Sequence, residues 1–289
     1  MILVTGANGM VGSYVKAVFT DRDIYLTDLP ELDITNRNQV FSIFEKVKPS
    51  LVIHLAAETD VDKCETSIDH AYRTNTMGTQ NIALACQLRN CEMVYISTGG
   101  VFGGKKGDVH TEFSATDPQN VYARSKYEGE LIVQNVLSRY YIFRAGWMIG
   151  GGKERDKKFV GKIIQFCFEG RKEIKAVNDK FGTPTFAKDL VRGIKEIIKT
   201  GNYGLYHLGN NGCCSRFDIA RRIIDNIDKK IKLIPVSSVE FPLPAPRAES
   251  EAIRNYKLEL MDMNVMRNWE EALAEYIDEW RQNNESPIS

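Results

Sequence analysis

Directly after a short apolar run, Ile2-Leu3-Val4-Thr5, the chain carries three glycines at a fixed spacing, Gly6-x-x-Gly9-x-x-Gly12, and a helical stretch follows to about Phe19. Strand, glycine loop and helix in that order constrain the fold more than any other feature. Gly6 permits a tight turn, Gly9 lets backbone come close to a pyrophosphate, and Gly12 lets the helix pack on the sheet. The free N–H groups of the helix start then face the phosphates. With Asn8, Met10 and Val11 between the glycines, the loop is expected to seat a dinucleotide cofactor. The string alone is weak evidence; its place between an N-terminal strand and a helix carries the reading.

The same rhythm continues. Strands are expected at 24–27, 51–55, 93–96 and 141–144, and helices at about 36–46, 69–88 and 120–137, with Asn36 as a cap. Strands alternating with helices imply an α/β, Rossmann-type, doubly wound parallel sheet. Near-continuous apolar strands fit a sheet covered on both faces. After Gly150-Gly151-Gly152 the rhythm changes. Residues 1 to about 150 are expected to form the dinucleotide-binding domain, completed by about 174–200. Residues 151–289 would form mainly a smaller, C-terminal substrate-binding lobe, with a last helix over 269–280. The charge balance, 38 Lys plus Arg against 38 Asp plus Glu, supports no global attraction to nucleic acid or to a membrane surface. No apolar run approaches the roughly 20 residues of a membrane span.

Asp28 closes the second strand. A carboxylate there can accept hydrogen bonds from the adenosine ribose and repel a 2′-phosphate, which favours NAD over NADP. Arg22 could serve a 2′-phosphate instead, and Asp28 could be a plain turn residue before Leu29-Pro30. Asp33 and Ile34 could contact the adenine. Ala56 and Ala57, after the third strand, would leave room for the cofactor.

Tyr122 and Lys126 lie four residues apart near the start of a helix, so both face one side, one turn apart. Reducing a ketone needs a hydride at carbon and a proton at oxygen. A phenol titrates near 10; a neighbouring ammonium would lower that value and make it a better proton relay. Lys126 could also hold a nicotinamide ribose. Thr98, at the end of the fourth strand, can hydrogen-bond the carbonyl oxygen, as could Ser97 beside it.

These residues together resemble the extended short-chain dehydrogenase/reductase family, and within it the dTDP-4-dehydrorhamnose reductases. The likeness covers nearly the whole chain. It is carried by Gly6 to Gly12, Leu32-Asp33-Ile34-Thr35, the run Ala56 to Glu65, Tyr72 with Asn75, Ile96-Ser97-Thr98, Val101-Phe102-Gly103-Gly104, Tyr122 with Lys126, and Gly182-Thr183-Pro184-Thr185. The resemblance implies that Thr98, Tyr122 and Lys126 are catalytic and that Thr59, Asp60, Val61 and Asp62 line a sugar site. It also implies that the last third of the chain holds a nucleotide. The activity implied is NAD(P)H-dependent reduction of a 4-keto group on a nucleotide-linked sugar. The pattern departs in three places. Gly99-Gly100 stand where rhamnose-forming members carry Asp-Tyr, Arg247-Ala248-Glu249-Ser250 only loosely matches Arg-Pro-x-x-Ser, and Glu58 replaces a histidine. Gly99-Gly100 also cannot supply the Asp-Glu pair of related dehydratases, which argues against dehydration.

Two other readings share the scaffold: an epimerase that keeps its cofactor, and a non-catalytic regulatory subunit. Arg247 could pair with a substrate phosphate or sit in solvent. Gly99 would border the sugar. The resemblance suggests a structural or water-relaying role for Asn75 beneath the site, and His54 would be a satisfied core residue. Trp147 and Phe102 could bracket a ring or belong to the core. The stretch 159–168 reads as core or as a homodimer contact. Six cysteines without a metal or disulfide spacing fit free thiols in a reducing cytoplasm, and no metal site is expected.

Overall fold

Strands that are apolar on both sides need a covered sheet, and the computed structural model, which describes residues 1–227 and 230–285, has one. β1 (Ile2–Thr5), β2 (Ile24–Thr27), β3 (Leu51–His54), β4 (Glu92–Thr98) and β5 (Tyr140–Ala145) join Gly204–His207 in a six-stranded sheet. Their order in space is Gly204–His207, β5, β4, β3, β1, β2. Every neighbouring pair in it runs parallel. The helices before and between are α1 (Gly12–Val18), α2 (Arg37–Val47), α3 (Val61–Thr66), α4 (Ile68–Tyr72), α5 (Thr79–Leu88) and α6 (Val121–Val136).

Strand alternation sorts the core into two layers. Ile2, Val4, Ile53, Val94 and Phe143 face Val15 of α1 and Leu190, Ile194 and Ile197 of a helix at Ala187–Ile198. Leu3, Val52, Met93 and Ile142 face Val40 and Phe44 of α2, Ile82 of α5 and Val133 of α6. Asn36 caps α2 by accepting from Gln39 N, and Asn120 caps α6 by accepting from Ala123 N. The single helix expected over 69–88 is interrupted. α4 passes into a π-helical turn, Arg73–Gly78, before α5 begins. That wider turn carries Asn75, whose amide is turned onto the backbone of Glu58.

The second lobe is built from short pieces. Glu173–Val177 pairs with Lys232–Val236, and Trp147–Ile149 pairs with Pro184–Phe186, both parallel. Helices Phe159–Phe168, Arg216–Ile227 and Trp269–Glu285 close over Ile149, Ile163, Phe186, Ile223 and Tyr276. The stretch 174–200 thus divides. Glu173–Val177 pairs within the second lobe, whereas Ala187–Ile198 covers the main sheet and leads into its edge strand, Gly204–His207.

α6 is tied to β5 by a buried ion pair. Arg144 donates through Nε and Nη2 to the two carboxylate oxygens of Glu130, at 2.9 and 2.6 Å. Glu130 is fully buried and Arg144 nearly so. Removing one partner strands the other charge in the interior. Glu130→Ala is therefore expected to cost about 3–5 kcal/mol, read as a shift of the urea midpoint against the wild type.

Candidate active site

The chain leaves β1 toward β2 on one side and returns to β3 on the other. The two strand ends therefore diverge at the C-terminal edge of the sheet, where such folds open a crevice. Gly6 turns there with φ of +69°, and a Cβ on it would lie 2.6 Å from Ala56 N. A Cβ on Gly12 would lie 2.3 Å from Ala7 O. Both positions therefore demand glycine. Gly9 differs: within 4 Å its Cβ would meet only Gly6 O, at 3.2 Å, so its outer side is open to a close backbone approach. The loop is fastened around that opening. Asn8 N donates to Asp28 Oδ2 at 2.8 Å, and Asn8 O accepts from Arg155 Nε at 3.0 Å. Met10 is backed by the Gly151 turn, and Val11 packs on the sheet core. The open Gly9 and the carboxylate at the end of β2 fit a dinucleotide.

Asp28 Oδ1 also accepts from Leu29 N at 2.8 Å, so both its oxygens already hold backbone N–H groups. Asp33 accepts from the N–H and hydroxyl of Thr35. The Ile34 side chain is buried in the core, against Gly78, so the adenine contact expected of it is not available through that side chain. Ala56 and Ala57 are half-buried beside the glycine turn.

Thr98 ends β4. Its Oγ1 accepts from Gly100 N at 3.0 Å, and its hydroxyl is hydrogen-bonded to Tyr122. Tyr122 lies in the first turn of α6, packed with Tyr72 against Cys64, Ala71 and Val121. Burial pushes its phenol up to about 12, while the Thr98 bond pulls the other way. One turn on, Lys126 is buried, with Nζ over the face of Tyr95 at 4.1 Å from the ring centroid. Burial pushes it down to about 7, opposed by the charge of Glu130. The expected acidification of the phenol by the ammonium is therefore not what this structure has. Burial raises one group and lowers the other, and Thr98 is the neighbour that eases the phenol. Ser97, the alternative to Thr98, is buried, with no hydrogen-bond partner for its Oγ among the described residues.

The segment after β3 frames the opposite wall. Thr59 O accepts from Lys158 Nζ at 3.2 Å. Asp60 caps α3, accepting from Asp62 N and Lys63 N, so Oδ1 is committed to the helix. Val61 begins α3. Asp62 and Arg247, read separately from the sequence, are brought together: Arg247 Nη1 and Nη2 each lie 3.0 Å from an Asp62 carboxylate oxygen. Gly99 is buried against the backbone of Glu251. Asn75 is fully buried and donates to Ser125 Oγ at 3.0 Å, and Ser125 in turn donates to Tyr122 O. His54 is satisfied by the hydroxyls of Thr5 and Thr79. Phe102 is core, stacked on His110, whereas Trp147 reaches the cleft.

Sequence reasoning missed four side chains here: Lys158, Arg155, Arg216 and Glu251. None sits in a motif, and only tertiary folding brings them to the cleft. A separate cavity of about 460 Å³, lined by Glu112, Tyr127, Glu130, Arg144 and Lys257 among others, includes none of the expected site residues.

The fold and the Thr98–Tyr122–Lys126 group define a Rossmann-type protein of the short-chain dehydrogenase/reductase class. The chain belongs to the RmlD substrate binding domain family, whose model matches residues 1–282. A dTDP-4-dehydrorhamnose reductase of Mycobacterium tuberculosis is 32% identical over 281 residues, 94% of this chain and 91% of that protein. The crystal structure of a dTDP-4-dehydrorhamnose reductase from Clostridium acetobutylicum superposes with a TM-score of 0.92 at 39% identity, covering 97% of this chain and 99% of that one. One from Bacillus anthracis, solved in complex with NADP, gives 0.91 at 37% identity, covering 96% and 98%.

Lys126 carries a testable stability signature. Its folded pKa lies below the unfolded value of 10.5, so the unfolded chain binds the extra proton and wild-type stability rises with pH between about 7 and 10.5. Lys126→Met is expected to stabilise the protein most below pH 7, with the gain vanishing above pH 10.5, as read from denaturant midpoints across that range.

Proposed function

We propose that the protein is an NAD(P)H-dependent reductase acting on the 4-keto group of a nucleotide-linked deoxysugar. The observation that carries this reading is the hydrogen-bonded pair of Thr98 and Tyr122, with Lys126 one turn further along α6, at the sheet edge that also holds the glycine loop. The relatives named above are all reductases, which favours net reduction over epimerisation or a purely regulatory role.

The residues divide the work. Gly6, Asn8, Gly9, Met10, Val11 and Gly12 form the seat for the dinucleotide, with Asp28 at its ribose end and Asp33, Ala56 and Ala57 beside it. A reduced nicotinamide held in that seat would be the source of the hydride for the carbonyl carbon. Tyr122 gives its proton to the carbonyl oxygen, so that C=O becomes CH–OH. A phenol pushed up to about 12 still holds that proton at neutral pH. Thr98 orients the same oxygen, and Lys126, titrating near neutrality, positions the ribose. Thr59 to Asp62, Gly99 and Arg247 border the sugar and its diphosphate, and Lys158 and Arg216 add positive charge to that wall. In this reading residues 1 to about 150 form the cofactor lobe, and the later residues provide most of the substrate lobe. Six free thiols suit a reducing compartment such as the cytoplasm. Among the described residues no helix is long and apolar enough to cross a membrane.

Two measurements test the assignment. With a panel of nucleotide-linked 4-keto-6-deoxy sugars, Tyr122→Phe is expected to lower kcat by roughly 10²–10⁴-fold in an NAD(P)H oxidation assay; unchanged turnover would remove Tyr122 as proton donor. Asp28 is proposed to favour NAD. Asp28→Ala is then expected to raise kcat/KM for NADPH relative to NADH, and an unaltered ratio would refute that preference.

A further inference from the structure

The wall of the site next to Thr98 is built by two glycines and one distant carboxylate. Gly99 is held tightly: a Cβ on it would lie 2.9 Å from Glu251 O. Gly100 has more room. A Cβ there would meet Thr98 Oγ1 at 3.3 Å, then Ala123 Cβ and Glu251 Oε1, each at 3.7 Å. The hydroxyl of Thr98 and the carboxylate of Glu251 thus both lie on the side of Gly100 where a side chain would stand.

Glu251 is presented there rigidly. Ser250 and Ala252 on either side of it are fully buried. Glu251 N donates to Phe181 O at 2.9 Å, Ser250 Oγ to Asp108 O at 2.7 Å, and Ile253 N to Thr183 Oγ1 at 3.1 Å. With its backbone pinned, the half-buried side chain has little freedom. Oε2 accepts from Trp147 Nε1 at 3.2 Å, which leaves Oε1 on the Gly100 side. The guanidinium of Arg216 stacks on the same indole, 3.7 Å from its centroid, and its charge is felt by Glu251. Glu251 in turn acts electrostatically on Tyr122. No protein group among the hydrogen bonds of the site takes up Oε1.

We propose that Glu251 is a specificity-determining residue, whose Oε1 accepts a hydrogen bond from a sugar hydroxyl adjacent to the carbonyl held by Thr98. This rests on the ketoreductase reading for the substrate class, and it commits to the hydroxyl at C3, the neighbour of the reacting C4. With no side chain at position 100, nothing stands between the Thr98 hydroxyl and the carboxylate, so neighbouring atoms of one sugar can engage both. A site that hydrogen-bonds a substrate hydroxyl discriminates against an analogue lacking it, because the acceptor, covered by the bound sugar, is left unpaired.

Binding tests this independently of turnover. The affinities of dTDP, dTDP-rhamnose and its 3-deoxy analogue are measured by calorimetry on the wild type, Glu251→Gln and Glu251→Asp. The wild type is expected to prefer the hydroxylated sugar by roughly 10- to 100-fold. Glu251→Gln should reduce most of that preference while leaving dTDP affinity unchanged, and Glu251→Asp should retain part of it. A merely structural role would weaken all three ligands together. An unchanged preference in Glu251→Gln, or no preference in the wild type, overturns the proposal. Failure of both sugars to bind the wild type removes it along with the sugar-site reading. Intact discrimination without NAD(P)H oxidation on any 4-keto sugar would instead sink the reductase reading and leave Glu251 in place.

Discussion

Everything at the site depends on a backbone-to-backbone contact between the turn after β1 and the strand end of β3. Gly6 lies so close to Ala56 that no side chain fits between them, and Gly12 lies equally close to Ala7. These contacts bring the divergent strand ends together and aim α1 at the crevice. They also place Asn8 where Asp28 can grip it. The parallel register of β1 with β2 and β3, which aligns Thr5 with Thr27 and His54, sets the height at which that crevice opens. β4 runs past that level: Tyr95 pairs with His54, and Thr98 lies three residues further on, level with Ala145 of β5.

Most of this was legible because it is local. Alternating apolar strands, the glycine spacing and the four-residue interval between Tyr122 and Lys126 are written in adjacent residues, and they identified the sheet, the loop and the pair. The π-helical turn at Arg73–Gly78 was not legible, since its cause is the docking of Asn75 and Gly78 against distant residues. Nor was the fate of the stretch 174–200, whose strand and helix join different layers. Asp60 and Asp62 illustrate the limit well. Their side chains looked alike in the sequence, yet one caps a helix and the other clasps an arginine from far along the chain. Glu251 carried no signal at all, because its meaning comes from the two glycines it faces.

Burial, more than pairing, sets the protonation of the central residues. The chain of α6 residues runs from a half-buried phenol through a buried lysine to a fully buried glutamate that is neutralised by Arg144. With Glu130 matched by Arg144, little negative charge is left to hold Lys126 in its charged form, and desolvation pushes it toward neutrality. The ion pair of α6 and β5 thus sets the electrostatic background one turn away, besides fastening helix to sheet.

The Asp62–Arg247 clasp has a consequence for what the guanidinium can still bind. One partner belongs to the segment after β3 and the other to a stretch far along the chain, so the pair ties the two together. The contacts of Arg247 with Asp62 and with Ala245 O engage Nη1 and Nη2. A guanidinium has five N–H donors, so an anionic guest can be held on the Nε side while the aspartate stays in place, and the clasp then aims the arginine instead of competing for it.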